Sequence, residues 1–326
     1  MLDYSKFIEN SKAFLTIDLD AKGSRLSHAY LFVHKDKNLL VKFAEQVASY
    51  FLNLNDKENA ENNTARVLKR VHPDIMFFGE DKNIDVSAVS SIIDASNISP
   101  FEADKKIFVL ASAQDMNESS QNKILKSIEE PTKNTFYILL ATSTNRLLQT
   151  ILSRVKTIEI DDLSVPVIAQ MLEQKGVDKN KAEIFASCSG GNGEFAEKLA
   201  TDDGFVDFFN SIVTCLYKIN GSRDVLEFAS KFSAKNIDKE EFFDIITLLL
   251  RDVMTILAKK EELVICKNVL TKLKMIAASL NLGAVVELIS TCTKEKENLF
   301  YNVNATAVID NFLLKLAEEK VKCRRL

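Results

Sequence analysis

Short apolar runs alternate with segments of helical period along the first half of the chain. Residues 29–33 form one such run ahead of a helical pattern from about 36 to 52, and residues 106–111 form another ahead of a helical pattern over 117–129. Residues 135–141 supply a third run. Apolar runs of this length, bounded by polar segments and separated by helices, predict βαβ units around a buried parallel sheet. After Ser164 the pattern is helical throughout. There Phe242, Ile245, Ile246, Leu249, Leu250, Val253 and Ile256 recur at spacings of three and four, which predicts a core-facing stripe and not a cofactor site. Between the first two apolar runs lies a polar stretch, 53–70, rich in Asn, Glu and Lys, which fits either a loop or an exposed helix.

Composition supports this division. The chain has nine glycines and four prolines in 326 residues, and all four prolines lie at or before Pro166. With 46% apolar residues, that shortage of turn formers excludes a turn-rich β-sandwich, a collagenous segment or a disordered linker, and the length fits two or three domains. Ser189, Gly190, Gly191, Asn192 and Gly193 form the densest turn signal, between two helical stretches. A net charge of −4 disfavours free duplex nucleic acid as a partner of the whole surface. Cys188, Cys215, Cys266, Cys292 and Cys323 are scattered and far from His28, His34 and His72, so no zinc-ligand spacing is present. Scattered cysteines, no secretory apolar segment and no 18-residue apolar run point to a reducing cytoplasmic compartment and no membrane.

The chemistry-bearing positions are notable for what they lack. No two glycines stand five apart, so the pattern G-x-x-x-x-G-K-[ST] does not occur. Where a strand-to-helix turn would carry such a phosphate loop, the chain has His34, Lys35, Asp36, Lys37 and Asn38. Without glycines the backbone N–H groups cannot close around a phosphate, and without a Lys-Ser/Thr pair magnesium loses its hydroxyl ligand. Lys35 and Lys37 read as solvated charges at a helix start. After the apolar run at 106–110, where a metal-binding acid is wanted, come Ala111, Ser112, Ala113 and Gln114, with Asp115 a turn too late. Residues 191–196 formally fit G-x-G-x-x-G/A, but 181–188 reads as a helix where that motif needs a strand. A helix end followed by a helix start explains those glycines better.

Five blocks stand out in order along the chain: Ser27-His28-Ala29-Tyr30, His72-Pro73-Asp74, Ser99-Pro100-Phe101-Glu102, Leu125-Lys126-Ser127-Ile128-Glu129-Glu130-Pro131 and Ile151-Leu152-Ser153-Arg154. Together they resemble the bacterial clamp-loader subunits of DNA polymerase III, and most of all their delta-prime branch. The likeness covers about 25 to 200, and Asn302-Val303-Asn304 resembles the family's C-terminal end more weakly. It implies an α/β RecA-like AAA+ domain over 1–162, an all-α lid over 163–205 and an all-α C-terminal collar domain over 206–326. It also implies a hetero-pentamer with gamma/tau and delta subunits that loads a sliding clamp onto primed DNA.

Within that family the delta-prime branch has a nonfunctional nucleotide site, which matches the missing glycines; an ATP-hydrolysing gamma/tau-like or other AAA+ motor is the alternative reading. Glu194 stands where ATPase relatives place a sensor arginine. Neither ATP, magnesium nor zinc is expected here, since the four-cysteine module of relatives is replaced by the cysteine-free 53–70 stretch. The family's Ser-Arg-Cys triplet is Ser153-Arg154-Val155 in this chain. The resemblance assigns Arg154, with Ser153, as an arginine finger acting in trans; by composition alone Arg154 reads as a surface arginine in an ordinary salt bridge. Asn145 and Arg146 open a turn before a short helix and either cap it or serve function. Glu129 and Glu130, paired carboxylates at a helix C-terminus, oppose the helix dipole and suggest a partner contact.

Overall fold

A computed structural model describes residues 1–80, 82–232, 237–301 and 303–324. Within it the chain forms two compact units, Met1–Val167 with Gly191–Phe195, and Ile168–Gly190 with Ala196–Leu326.

The first unit contains helices α1 (Ser5–Asn10), α2 (Lys12–Lys22), α3 (Lys37–Asn53), α4 (Ala60–Leu68), α5 (Val86–Ser96), α6 (Glu118–Glu129) and α7 (Gln149–Leu152). Its strands are β1 (Ala29–Val33), β2 (Ile75–Phe78), β3 (Lys106–Leu110), β4 (Thr135–Ala141) and β5 (Lys156–Glu159). They form one parallel sheet in the order β2-β3-β4-β1-β5, with Leu31 opposite Leu139 on one side and Thr157 on the other. This is a parallel α/β sheet, as the alternating pattern predicts. The inner strands are buried on both faces, which is why they read as unbroken apolar runs. Phe32 packs edge-on against Phe43 of α3 on one face, with ring centroids 4.8 Å apart. On the other face Leu31, Phe108, Tyr137 and Leu139 join Ile124 of α6 and Ile151 of α7 in one core.

The predicted 36–52 helix is α3, with Asp36 as its N-cap. The 53–70 stretch holds a helix, α4, which buries Asn63 and Val67 and so is not exposed all round. Asn63 donates to Asn53 Oδ1 and Asp56 Oδ2 at 3.2 and 3.3 Å, a polar network where an apolar pattern is missing. Helices α1, α2 and α5 and strands β2 and β5 have no counterpart in the sequence expectations.

In the second unit every element is helical: α8 (Val165–Gln174), α9 (Lys179–Cys188), α10 (Gly193–Thr201), α11 (Asp203–Lys218), α12 (Ser222–Phe232), α13 (Lys239–Leu257), α14 (Leu270–Ala277), α15 (Leu282–Phe300) and α16 (Ala305–Arg324). The first residues of α8 and α10 belong to the first unit. Helix α13 packs against α14 and α15. Its stripe from Phe242 to Val253 is fully buried, whereas Ile256, at its end, is half-buried. Phe242 and Phe243 both meet Phe312 of α16 edge-on. The Lys320 ammonium is buried and donates to the carbonyls of Leu216 and Tyr217, closing the C-terminal end of α11. Among the described residues, no single helix is long and apolar enough to cross a membrane. Asn302, the first residue of the Asn-Val-Asn block, lies outside the described residues.

Candidate functional site

The turn after β1 is built around a carboxylate. Asp36 is fully buried, and its Oδ1 accepts the Leu39 N–H at 2.9 Å across the first turn of α3. Its Oδ2 accepts the Tyr4 hydroxyl at 2.9 Å and the Glu194 backbone N–H at 3.0 Å. The negative end of a side chain therefore occupies the positive N-terminal end of the helix, where phosphate-binding folds place a nucleotide phosphate. The surroundings are close: a Cβ built on Gly193 lies 2.9 Å from Tyr4 Oη and 3.1 Å from Asp36 Oδ2. Gly193 thus serves close approach to Asp36, and its neighbour Glu194 contributes a main-chain donor.

The remaining members of the degenerate turn frame this carboxylate. His34 Nδ1 accepts the Asp36 N–H at 2.9 Å. Its Nε2 is buried and makes no hydrogen bond, since Asp162 Oδ1 lies 3.3 Å away but off the hydrogen-bond direction. Burial holds the His34 imidazole below its ordinary value, although Asp36 and Asp162 pull the other way, so the ring is neutral at pH 7. Lys35 and Lys37 are exposed, and Lys35 pairs with Asp162 at 2.8 Å. Beside the half-buried Asn38, a pocket of about 30 Å³ lies between Lys37, Leu40 and Gln114. That is room for about one water. At the end of β3, Ser112 takes a positive φ of 52°, and the buried Gln114 accepts the Thr142 N–H at 3.3 Å where an acid is absent.

Helix α6 organises the second region. Its Gln121 side chain donates to the carbonyls of Met116 and Arg146, each at 2.9 Å, and accepts the Leu148 N–H at 2.8 Å. That one amide positions the 144–148 turn and thereby starts α7. Asn145 and Arg146 do not cap α7; the N-cap position is Leu148, and Arg146 instead lies 3.4 Å from Asp115. Ser153 ends α7, and Arg154 follows with its side chain 38% exposed. Arg154 Nη1 donates to the Thr150 carbonyl and to Ser153 Oγ, both at 3.0 Å, while its Nε pairs with Glu129. Glu129 therefore has a partner inside the chain, which offsets its unfavourable place at the end of α6.

Two sequence blocks meet through Asp74. This buried carboxylate accepts the N–H groups of Phe101, Glu102 and Ala103 at 2.6, 2.9 and 2.9 Å. His72 Nδ1 accepts the Asp74 N–H at 3.2 Å, and burial lowers its pKa. The His-Pro-Asp and Ser-Pro-Phe-Glu blocks are thus one structural clasp on β2 and β3. Sequence reasoning missed Tyr4 and Gln121. Tyr4 lies 32 residues from Asp36 with no pattern linking them, and Gln121 reads as an ordinary polar position of an amphipathic helix.

An α/β domain with this sheet order and these blocks is matched by a known family. Residues 10–164 match the model of the family described as DNA polymerase III, delta subunit. Over 304 residues the chain is 27% identical to the DNA polymerase III subunit delta' of Bacillus subtilis, covering 90% of this chain and 92% of that protein. The subunit delta' of Haemophilus influenzae is 27% identical over 186 residues, 56% of this chain and 54% of that protein. A solved structure of a DNA polymerase III gamma subunit-related protein from Thermotoga maritima aligns over 93% of this chain and 99% of its own, at 16% identity and a TM-score of 0.43.

Proposed function

We propose that this chain is a delta-prime-like subunit of a DNA polymerase III clamp loader, without ATPase activity of its own. It acts as a fixed member of a hetero-pentamer with gamma/tau and delta subunits. That assembly loads the sliding clamp onto primed DNA at the expense of ATP bound by its other subunits. The likeness to subunit delta' along 90% of the chain supports the place in a polymerase holoenzyme. The collar over 206–326, the lid over 163–205 and the AAA+ domain over 1–162 are the division this reading assigns.

One observation carries the inactive site. The Asp36 carboxylate caps α3 and is held by Tyr4 and Glu194, so a phosphate brought there meets a buried negative charge, with the Leu39 and Leu40 N–H groups of the first turn already bonded to Asp36. The residues of the turn do not fit a nucleotide phosphate or its magnesium, and no step of this chain's chemistry runs through either.

Arg154 is the residue through which the chain acts on chemistry elsewhere. Its guanidinium is exposed at the end of α7, braced by Ser153 and Thr150, and exchanging Glu129 for the γ-phosphate of a neighbour's nucleotide frees a planar, permanently charged donor for the transition state. The test is Arg154→Ala in a loader reconstituted with the gamma/tau and delta subunits of the same source. Assembly on gel filtration stays intact, and clamp- and DNA-stimulated ATP turnover at the adjoining site falls by about 10³-fold or more. Unchanged turnover removes the finger role.

A further inference from the structure

We propose that Cys188 and Cys266 form a reversible internal disulfide in the second unit, with a low-molecular-weight disulfide as co-reactant. The pair is set apart from the other cysteines by its surroundings. Cys188 is the last residue of α9, and Cys266 immediately precedes the short turn Lys267–Val269 that leads into α14. Cys266 Sγ donates to the Cys188 carbonyl oxygen at 4.0 Å, and the two thiols lie within interaction range of each other. Cys188 Sγ donates to Asn268 Oδ1 at 3.0 Å and lies beside the backbone N–H groups of Lys267 and Asn268. Backbone N–H groups beside the sulfur favour its thiolate. The same contacts lower the Cys188 pKa and raise that of Cys266, which divides the pair into an attacking and a resolving thiol.

The loop that carries Cys266 is fixed by one group. Buried Asp252 of α13 accepts the N–H groups of Ile265 and Cys266 at 2.9 and 2.7 Å, aiming the sulfur at α9. Both sulfurs belong to buried residues, yet the surface is one residue away: Lys267 and Asn268 are exposed, as is the whole 258–263 stretch. A short displacement of this turn-rich loop admits a small reagent, and such loops open at low free-energy cost. Cys215 and Cys292 lack this arrangement, and burial pushes both thiols well up.

The chemistry balances without another component. The Cys188 thiolate attacks one sulfur of RSSR, forming a mixed disulfide and expelling RS⁻. The Cys266 sulfur loses its proton to solvent, attacks the Cys188 sulfur and expels the second RS⁻. Two protein thiols are oxidised, and one RSSR is reduced to two RSH. The product links α9 covalently to the segment ahead of α14.

Mass spectrometry of the full chain, titrated with mixtures of oxidised and reduced glutathione, tests the inference. The expected product has lost the mass of two hydrogen atoms, and a non-reducing tryptic map joins the peptide containing Cys188 to the one containing Cys266, with Cys215 and Cys292 still reduced. In Cys266→Ser the glutathione adduct on Cys188 persists, because nothing resolves it. If Cys323, the half-buried cysteine, takes up glutathione while no 188–266 link forms, the inference is overturned. Absence of a Cys188 adduct in Cys266→Ser overturns it equally.

Discussion

At the scale of single residues, buried ionisable groups hold the first unit together by satisfying backbone donors. Asp36 and Asp74 each accept several N–H or O–H groups in a dry setting, where such charge-assisted bonds are strong and their removal leaves orphaned donors. Asp74→Ala is expected to destabilise the protein by about 3 kcal/mol or more, read by urea denaturation. Asp74→Asn, which retains part of the acceptor set, loses less. His34 and His72 link stability to pH. Burial lowers both below the ordinary 6.5, so as the pH drops under that value the unfolded chain binds protons that the folded chain does not. Stability is full above about pH 6.5 and declines as the pH falls from there towards the folded-state values. Stabilisation from carboxylates held low, such as Asp85, is present above 3.8 and lost only as the pH falls below it. Denaturation midpoints at about pH 7.5 and about pH 5.5 must therefore differ, and His72→Asn, whose oxygen can replace Nδ1 as acceptor, narrows the difference. Equal midpoints in the unaltered chain refute this assignment.

At the scale of elements, legibility follows burial. Strands β1, β3 and β4 are buried on both faces and announce themselves as apolar runs. Edge strand β5 alternates, with only Ile158 buried among Lys156, Thr157 and Glu159, and β2, though wholly apolar, is four residues long, too short for its period to distinguish a strand from a helical segment. Helix α4 was ambiguous because Asn63 takes an inward position that an aliphatic residue ordinarily holds. The α13 stripe is the reverse case, since its 3.6-residue period and its burial coincide. Phe242→Ala, which removes a ring packed against Phe232, Phe243 and Phe312, is expected to cost about 3–5 kcal/mol by chemical denaturation. Lys320→Met strands two carbonyls at the end of α11 and is expected to cost about 1–3 kcal/mol despite preserving apolar volume.

At the scale of the whole molecule, the chain is a parallel α/β unit and a helical unit, similar along most of its length to a polymerase subunit. The reading proposed for it predicts no saturable ATP binding by the purified chain at concentrations up to about 1 mM, measured calorimetrically, well above the micromolar range of a working site. Tight ATP binding contradicts the inactive site. Co-expression with gamma/tau and delta subunits is expected to yield one complex on gel filtration, and separate elution of this chain contradicts the assembly.

The sequence by itself determined the alternation that builds the sheet, the helical second half and the loss of a glycine-rich phosphate loop, because local periodicity and residue type are properties of neighbours along the chain. Tertiary structure alone decided what fills the resulting space. Tyr4 and Glu194 reach Asp36 from 32 and 158 positions away, and Cys188 reaches Asn268 across 80. No periodicity records such meetings; they arise when buried donors and acceptors, cut off from water, must find partners wherever the packed chain brings them.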